Sequence, residues 1–128
     1  MNVLILINDR LLNWAISLGL QKENHTVYNC FDENKATEVL ESQQIDIIIS
    51  EIMIEIKTEM NPLPFLKQPI VFGIPIIIIS NLLFDAKIIE KYKLKCTSFF
   101  SKPIDPILII KEVNRISNIK KQKTLPKL

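Results

Sequence analysis

The sequence has few of the residues from which phosphate loops, metal sites and linkers are built: 2 glycines, 2 cysteines and 1 histidine among 128 residues. So few glycines exclude a glycine-rich phosphate loop and long flexible linkers. Cys30 and Cys96 have no CxxC spacing and His25 stands alone, so metal sites of thiolates or imidazoles lack ligands. Ser-His-Asp or Cys-His catalysis is not expected, because it needs a base beside the nucleophile.

Long hydrophobic runs are also missing. No run approaches the roughly 18 to 20 apolar residues of a membrane span. The first apolar segment reaches Asn8, Asp9 and Arg10 too soon for a signal peptide. We therefore expect a cytoplasmic protein whose cysteines are reduced and structural.

Composition and charge fit one compact domain with a basic end. Hydrophobic residues make up 48% of the chain and the formal net charge is +2. Residues 111–128 hold six basic residues against one acid, so the rest of the chain is mildly acidic. We predict a domain over residues 1–119 and a basic, solvated tail over residues 120–128. Nucleic-acid binding is not expected, because no helix-turn-helix or other reading module is present.

Apolar runs alternate with helical patterns along the chain, which indicates βα units around a parallel sheet. The first and third runs have no polar alternation, as expected for strands covered by helices on both faces. Helices are predicted after Asn8 or Asp9, either of which can be the cap, after Asp32, and at the pair Asp105 and Pro106. The five predicted strands lie at residues 3–7, 26–31, 45–50, 75–80 and 97–101. One further helix is predicted over residues 83–92.

The predicted fold is α/β, a three-layer flavodoxin-like sandwich with a five-stranded parallel sheet in the order 2-1-3-4-5. Between Glu51 and Gly73 three prolines allow at most a short or distorted third helix. In such a sheet the ligand site lies at the carboxyl ends of the strands. The side chains expected there come from all but the second strand: Asn8, Asp9, Glu51, Ser80 and Lys102.

In order and spacing this set resembles the receiver domain of two-component response regulators. That family has an acidic pair after strand one, a phosphoacceptor aspartate after strand three, a Ser or Thr after strand four, and a Lys-Pro after strand five. The resemblance covers about residues 2–119. The matching stretches are Leu4–Arg10, Asp46–Met53, Pro75–Ser80 and Phe99–Pro103.

The chain departs from the family pattern at three positions of this site. Glu51 stands where the family has its phosphoacceptor aspartate, and Asn8 replaces one member of the acidic pair. Phe99 occupies the switch position, where the aromatic residue is usually tyrosine. The extra methylene of Glu51 moves its carboxylate roughly 1.5 Å outward, and misplacement on that scale can cost about 100-fold in phosphotransfer rate.

The resemblance implies that Asp9, Glu51 and the Met53 backbone carbonyl are the remaining ligands for Mg²⁺, and we expect weak Mg²⁺ binding or none. Glu51 is long enough to form an ion pair with Lys102. Within the family a glutamate at this position sometimes resembles the phosphorylated state, which implies a receiver locked in one state. The alternative is that Glu51 is a solvated acid at a strand end.

Other residues have plain structural interpretations. Asp9 and Ser80 can simply cap the helices that follow them, and without a phosphoryl group capping is the favoured role of Ser80. Phe99 is expected to pack rather than to move as a switch. His25 lies in a turn and is expected to be solvated.

The last helix carries more apolar surface than one buried face needs. Its inner stripe is Ile109, Val113 and Ile116, and the excess is at Ile107, Ile110 and Ile119. Receivers often dimerise or bind partners through helix four, strand five and helix five. We therefore predict a homodimer or a protein partner at this surface.

The sequence favours a stand-alone pseudo-receiver that is not an enzyme and signals through a protein partner, with little or no phosphorylation of Glu51. The first alternative is a single-domain response regulator that accepts a phosphoryl group slowly or at another residue. A weaker alternative is a flavodoxin-like domain that binds a small molecule, which is disfavoured because the loops have no Gly-rich or Ser/Thr-rich phosphate cradle.

Overall fold

A computed structural model of the chain describes residues 1–54, 59–60, 71, 73–80 and 96–124. The predicted helix over residues 83–92 and most of the predicted distorted third helix lie outside these residues. The described elements, in chain order, are β1 (Asn2–Leu6), α1 (Arg10–Lys22), β2 (Thr26–Cys30), α2 (Glu33–Ser42), β3 (Ile47–Ile54), β4 (Glu59–Met60), β5 (Ile76–Ser80), β6 (Ser98–Ser101) and α3 (Pro106–Thr124).

Five of the strands form a parallel sheet in the order β2-β1-β3-β5-β6. The predicted fourth and fifth strands are β5 and β6, so the flavodoxin-like order 2-1-3-4-5 is confirmed. The two-residue β4 was not predicted, and it pairs antiparallel with the end of β3. Because the five long strands are parallel, their carboxyl ends meet at one edge of the sheet.

The hydrophobic core lies in two layers, one on each face of the sheet. In the central strands, residues of even number, such as Leu4 and Ile48, pack with α2, while odd-numbered residues, such as Ile5 and Ile49, pack with α1 and α3. All four of these side chains are fully buried. The unbroken isoleucine runs are explained by this double cover, which removes the usual alternation of apolar and polar residues.

The three predicted helix starts are present as side-chain caps. Asp9 Oδ1 accepts a hydrogen bond from the Leu12 backbone N–H at 3.2 Å, and Asp32 Oδ1 accepts one from Lys35 at 2.8 Å. Asp105 Oδ1 accepts one from the backbone N–H of Ile107 at 3.0 Å. Each carboxylate satisfies a backbone donor that the first turn of a helix leaves unpaired.

Two elements run further than the sequence predicted. Strand β3 continues past Ser50 to Ile54, because Glu51 and Ile52 still pair with β5. Helix α3 continues to Thr124, so the first part of the predicted solvated tail is helical. Lys120 contributes to this extension, since its Nζ donates a hydrogen bond to the Asp46 carbonyl at 3.1 Å.

The prediction of a solvated His25 is wrong. The residue is 9% exposed, and its Nδ1 accepts a hydrogen bond from the Met1 amine at 3.0 Å. Its Nε2 lies 2.8 Å from Oδ1 of Asn114 on α3. A turn residue is buried here because α3 packs beside the end of α1, which no local pattern around His25 reveals.

Both cysteines are free, as expected. Cys30 is buried at the end of β2, and this burial raises the pKa of its thiol to about 11. At neutral pH the side chain is therefore a neutral, unreactive core residue. Among the described helices, none is long and apolar enough to cross a membrane.

Candidate functional site

The structure brings all five predicted pocket residues to the carboxyl edge of the sheet, and three of them, Asn8, Asp9 and Lys102, bind the buried carboxylate of Glu51. Glu51 lies in β3, directly opposite Ile79 of β5. Asn8 and Asp9 form the connection from β1 to α1, and Lys102 follows β6. Because β1 and β5 flank β3 in the sheet, these connections reach Glu51 from different sides.

Glu51 is the centre of this arrangement, and its side chain is fully buried. Its Oε1 accepts hydrogen bonds from the backbone N–H groups of Asn8, at 3.2 Å, and Asp9, at 3.5 Å. Its Oε2 forms an ion pair with Lys102 Nζ. The alternative of a solvated acid at a strand end is therefore wrong, and the ion pair expected with Lys102 is present.

Lys102 lies between two carboxylates. Its side chain is 20% exposed, and its Nζ lies 3.6 Å from Oδ2 of Asp9 in addition to its contact with Glu51. Its backbone N–H donates a hydrogen bond to the Ser80 carbonyl at 2.7 Å, which fixes the start of the side chain at the sheet edge. The peptide bond between Lys102 and Pro103 is cis.

Asn8, which replaces one member of the acidic pair, contributes a backbone group to the site. Its backbone N–H binds Glu51, and the residue as a whole is exposed. The adjacent Asp9 is half-exposed, and its two oxygens are divided between capping α1 and facing Lys102. Both residues therefore act mainly to shape the turn that covers Glu51.

The other predicted residues lie around this centre. Ser80 is buried at the end of β5, and the helix that it was predicted to cap lies outside the described residues. Phe99 is half-buried and packs against the core layer on the α2 side, as expected for a packing residue. Met53 lies in the short ladder between β3 and β4, opposite Met60.

The donor set does not fit Mg²⁺. This ion needs near-octahedral coordination by oxygen atoms and loses its water reluctantly. Both oxygens of Glu51 already face hydrogen-bond donors or an ammonium group, and Asp9 Oδ1 is committed to the cap of α1. Within the described part of the chain, no group of three or more His, Cys, Asp or Glu side chains could hold a metal ion.

A buried polar cluster below this site was missed by the sequence analysis. Asn13 is fully buried and donates hydrogen bonds to the carbonyls of Ile7, at 3.1 Å, and Cys30, at 3.3 Å. Its side-chain oxygen accepts from Asn29 and from Ser17. The detectable signal was that Asn13 and Ser17, four residues apart, continue the buried stripe of α1.

The apolar excess on α3 is divided differently from the prediction. Ile107 and Ile119 are exposed, by 54% and 38%. Ile110 instead packs against α1, where a Cβ built on Gly19 would come within 2.0 Å of the Ile110 Cδ1. Leu108, which the sequence analysis did not single out, is 48% exposed.

Comparison with known proteins identifies the fold. No family model and no curated protein matches the sequence. Among solved structures, the Francisella response regulator 1452 receiver domain is 21% identical, with a TM-score of 0.75 over 93% of this chain and 98% of that one. The chemotaxis protein CheY4 of Vibrio cholerae is also 21% identical, with a TM-score of 0.72 over 90% and 97%. A receiver domain of a histidine kinase from Syntrophus aciditrophicus is 18% identical, with a TM-score of 0.75 over 98% and 97%.

Proposed function

Because this chain has the fold of response-regulator receiver domains, we propose that it is a pseudo-receiver: a signalling domain of a two-component system that acts through a protein partner without phosphorylation of Glu51. One observation carries the proposal. The carboxylate at the phosphoacceptor position is a fully buried glutamate whose oxygens are already bound by Lys102 and by the turn between β1 and α1.

Phosphotransfer onto a carboxylate needs a free oxygen in line with the phosphorus of the donor, and a cation that offsets the charge of the phosphoryl oxygens. Neither oxygen of Glu51 is free, and the cation in contact with it, Lys102, is already paired with the carboxylate itself. Its Oε1 points to backbone N–H groups, and its Oε2 is in contact with the ammonium of Lys102. Attack on a donor would require the carboxylate to leave these partners and the buried site.

The test is incubation of the protein with acetyl phosphate and Mg²⁺, followed by intact-mass measurement. We expect no adduct of about 80 Da, the mass of a phosphoryl group, under conditions that fully modify an active receiver assayed in parallel. An adduct on the wild type that disappears in Glu51→Ala would overturn the proposal. An adduct that persists in Glu51→Ala would favour the alternative of phosphorylation at another residue.

The partner surface that we propose lies on the outer side of α3, and its first candidate occupant is a second copy of the chain. Leu108 and Ile119 are 11 residues apart, which is about three helical turns, so both lie on one side of the helix. Ile107 extends the apolar area at the start of α3. Three exposed, large aliphatic side chains on one helix are an interaction signal when they are not explained by the core.

We expect the wild type to dimerise and the double variant Leu108→Glu and Ile119→Glu to be a monomer. Burying one such side chain contributes about 1.5 to 3 kcal/mol, so the two changes should weaken the dimer by roughly 100-fold or more. Sedimentation equilibrium measures the difference. Asn34→Glu, an exposed change on α2, away from the proposed surface, is the control. A wild type that stays monomeric up to millimolar concentration would contradict the homodimer and leave α3 as a surface for a different protein.

A further inference from the structure

We infer that the Lys102 ammonium is the resident cation of this pocket and takes the place that a divalent metal would occupy between the carboxylates of Asp9 and Glu51. This inference deepens the proposed function and rests on it, since it states why the pocket does not respond to Mg²⁺. A pocket of this kind keeps one charge arrangement at any Mg²⁺ concentration.

The contacts of Lys102 are those of a bridging cation. Its Nζ is in contact with Oε2 of Glu51 and lies 3.6 Å from Oδ2 of Asp9, so one positive charge faces one oxygen of each carboxylate. Within the described part of the chain, Oε2 of Glu51 has no hydrogen-bond donor other than this ammonium. The buried charge of Glu51 is therefore balanced mainly by Lys102.

The remaining oxygens are directed away from the cation position. Oε1 of Glu51 faces the backbone N–H groups of Asn8 and Asp9, and Oδ1 of Asp9 faces Leu12. A metal ion entering between the carboxylates would meet two oxygens at most from these side chains, and it would lie beside an ammonium of like charge. Mg²⁺ binding would require Lys102 to leave.

The bridge joins parts of the chain that are far apart in sequence. Glu51 is in the central strand β3, Asp9 caps α1, and Lys102 follows the edge strand β6. A metal ion bound between the carboxylates could enter and leave this edge of the sheet. Here the corresponding charge is covalently part of the chain, so the connections stay joined without any ligand.

The experiment uses Mn²⁺ as a paramagnetic probe for a divalent cation. In the wild type we expect no selective broadening of the amide resonances of Asn8 and Asp9 at millimolar Mn²⁺. In Lys102→Met the two carboxylates have no cation between them, and Mn²⁺ should bind at least roughly tenfold more tightly than in the wild type. Lys111→Met, which removes an exposed lysine of α3, should behave as the wild type does.

Each outcome decides the inference. Selective broadening at Asn8 and Asp9 in the wild type would overturn it, whatever the variants do. If Lys102→Met is folded and gains no Mn²⁺ affinity, the inference also fails. If that variant is unfolded, the wild-type measurement alone decides. Adding Asp9→Asn to Lys102→Met should abolish the gained binding, because one carboxylate is lost. The proposed function is tested separately, because detection of a phosphoryl adduct on Glu51 would contradict it without bearing on the Mn²⁺ measurement.

Discussion

Replacing Lys102 with methionine should lower the free energy of unfolding by about 3 to 5 kcal/mol, which is the usual cost of leaving one partner of a buried ion pair alone. Glu51 is fully buried and its Oε2 faces the Lys102 ammonium. Methionine keeps the length and the apolar stem of lysine but removes the charge. Urea denaturation followed by far-UV circular dichroism measures the loss.

Removing the charge of Glu51 instead of that of Lys102 should lower the free energy of unfolding by less. In Glu51→Gln the neutral amide can still accept from the backbone N–H of Asn8, and Lys102 keeps Asp9 and some solvent as partners for its charge. The free energy of unfolding of the double variant Glu51→Leu and Lys102→Met should be within about 1 kcal/mol of the wild-type value or higher than it. An apolar pair of similar volume needs no desolvation of charges.

Lys111→Met, on the exposed side of α3, is the matched control and should change stability by no more than about 0.5 kcal/mol. A loss below about 1 kcal/mol for Lys102→Met would mean that the pair behaves as a solvent-screened surface pair. That result would contradict a pocket that keeps one charge arrangement, since the carboxylate of Glu51 would then be free to exchange partners.

Replacing Asn13 with leucine should destabilise the fold by about 3 kcal/mol or more. Leucine has nearly the shape of asparagine but none of its hydrogen bonds, and a buried polar group without a partner costs about 1 to 3 kcal/mol. The change removes the donors to the carbonyls of Ile7 and Cys30. It also leaves the side chains of Ser17 and Asn29 without their shared acceptor.

Thermal and urea unfolding of Asn13→Leu can be compared with Asn34→Leu, an exposed position of α2 where the same change should be within about 0.5 kcal/mol of neutral. Equal stability of the two variants would show that the cluster around Asn13 is already hydrated. Asn13 also supports the site, because its hydrogen bonds join the end of β1, just before Asn8, to the end of β2.

The strands and the helix starts could be predicted because both depend on local signals, and the order of the strands followed from the rules for right-handed, short connections. Isoleucine runs without polar alternation indicate strands that are covered on both faces. Asp9, Asp32 and Asp105 are caps whose partners lie two or three residues ahead, so they act within one turn of the chain. The boundaries of β3 and α3 were less accurate, since pairing with β5 and the contact of Lys120 with Asp46 extend them from outside.

Most of the site could also be predicted, because residues at the carboxyl ends of parallel strands meet whatever the details of packing. The parts that were wrong or missing involve contacts between elements. Ile110 fills the space beside Gly19, and His25 is buried beside Asn114. Neither contact follows from helical spacing, because each depends on how α1 and α3 lie against one another.

By itself the sequence determined the α/β class, the order of the sheet, and the set of charged residues at its edge. Only the tertiary structure decided what these charges do. Glu51 could have turned toward solvent or toward Lys102 with the same sequence pattern, and the burial of its carboxylate beneath the turn of Asn8 and Asp9 selects Lys102. The physical reason is that a charge removed from water must be paired, and its partner is set by distances that spacing along the chain does not contain.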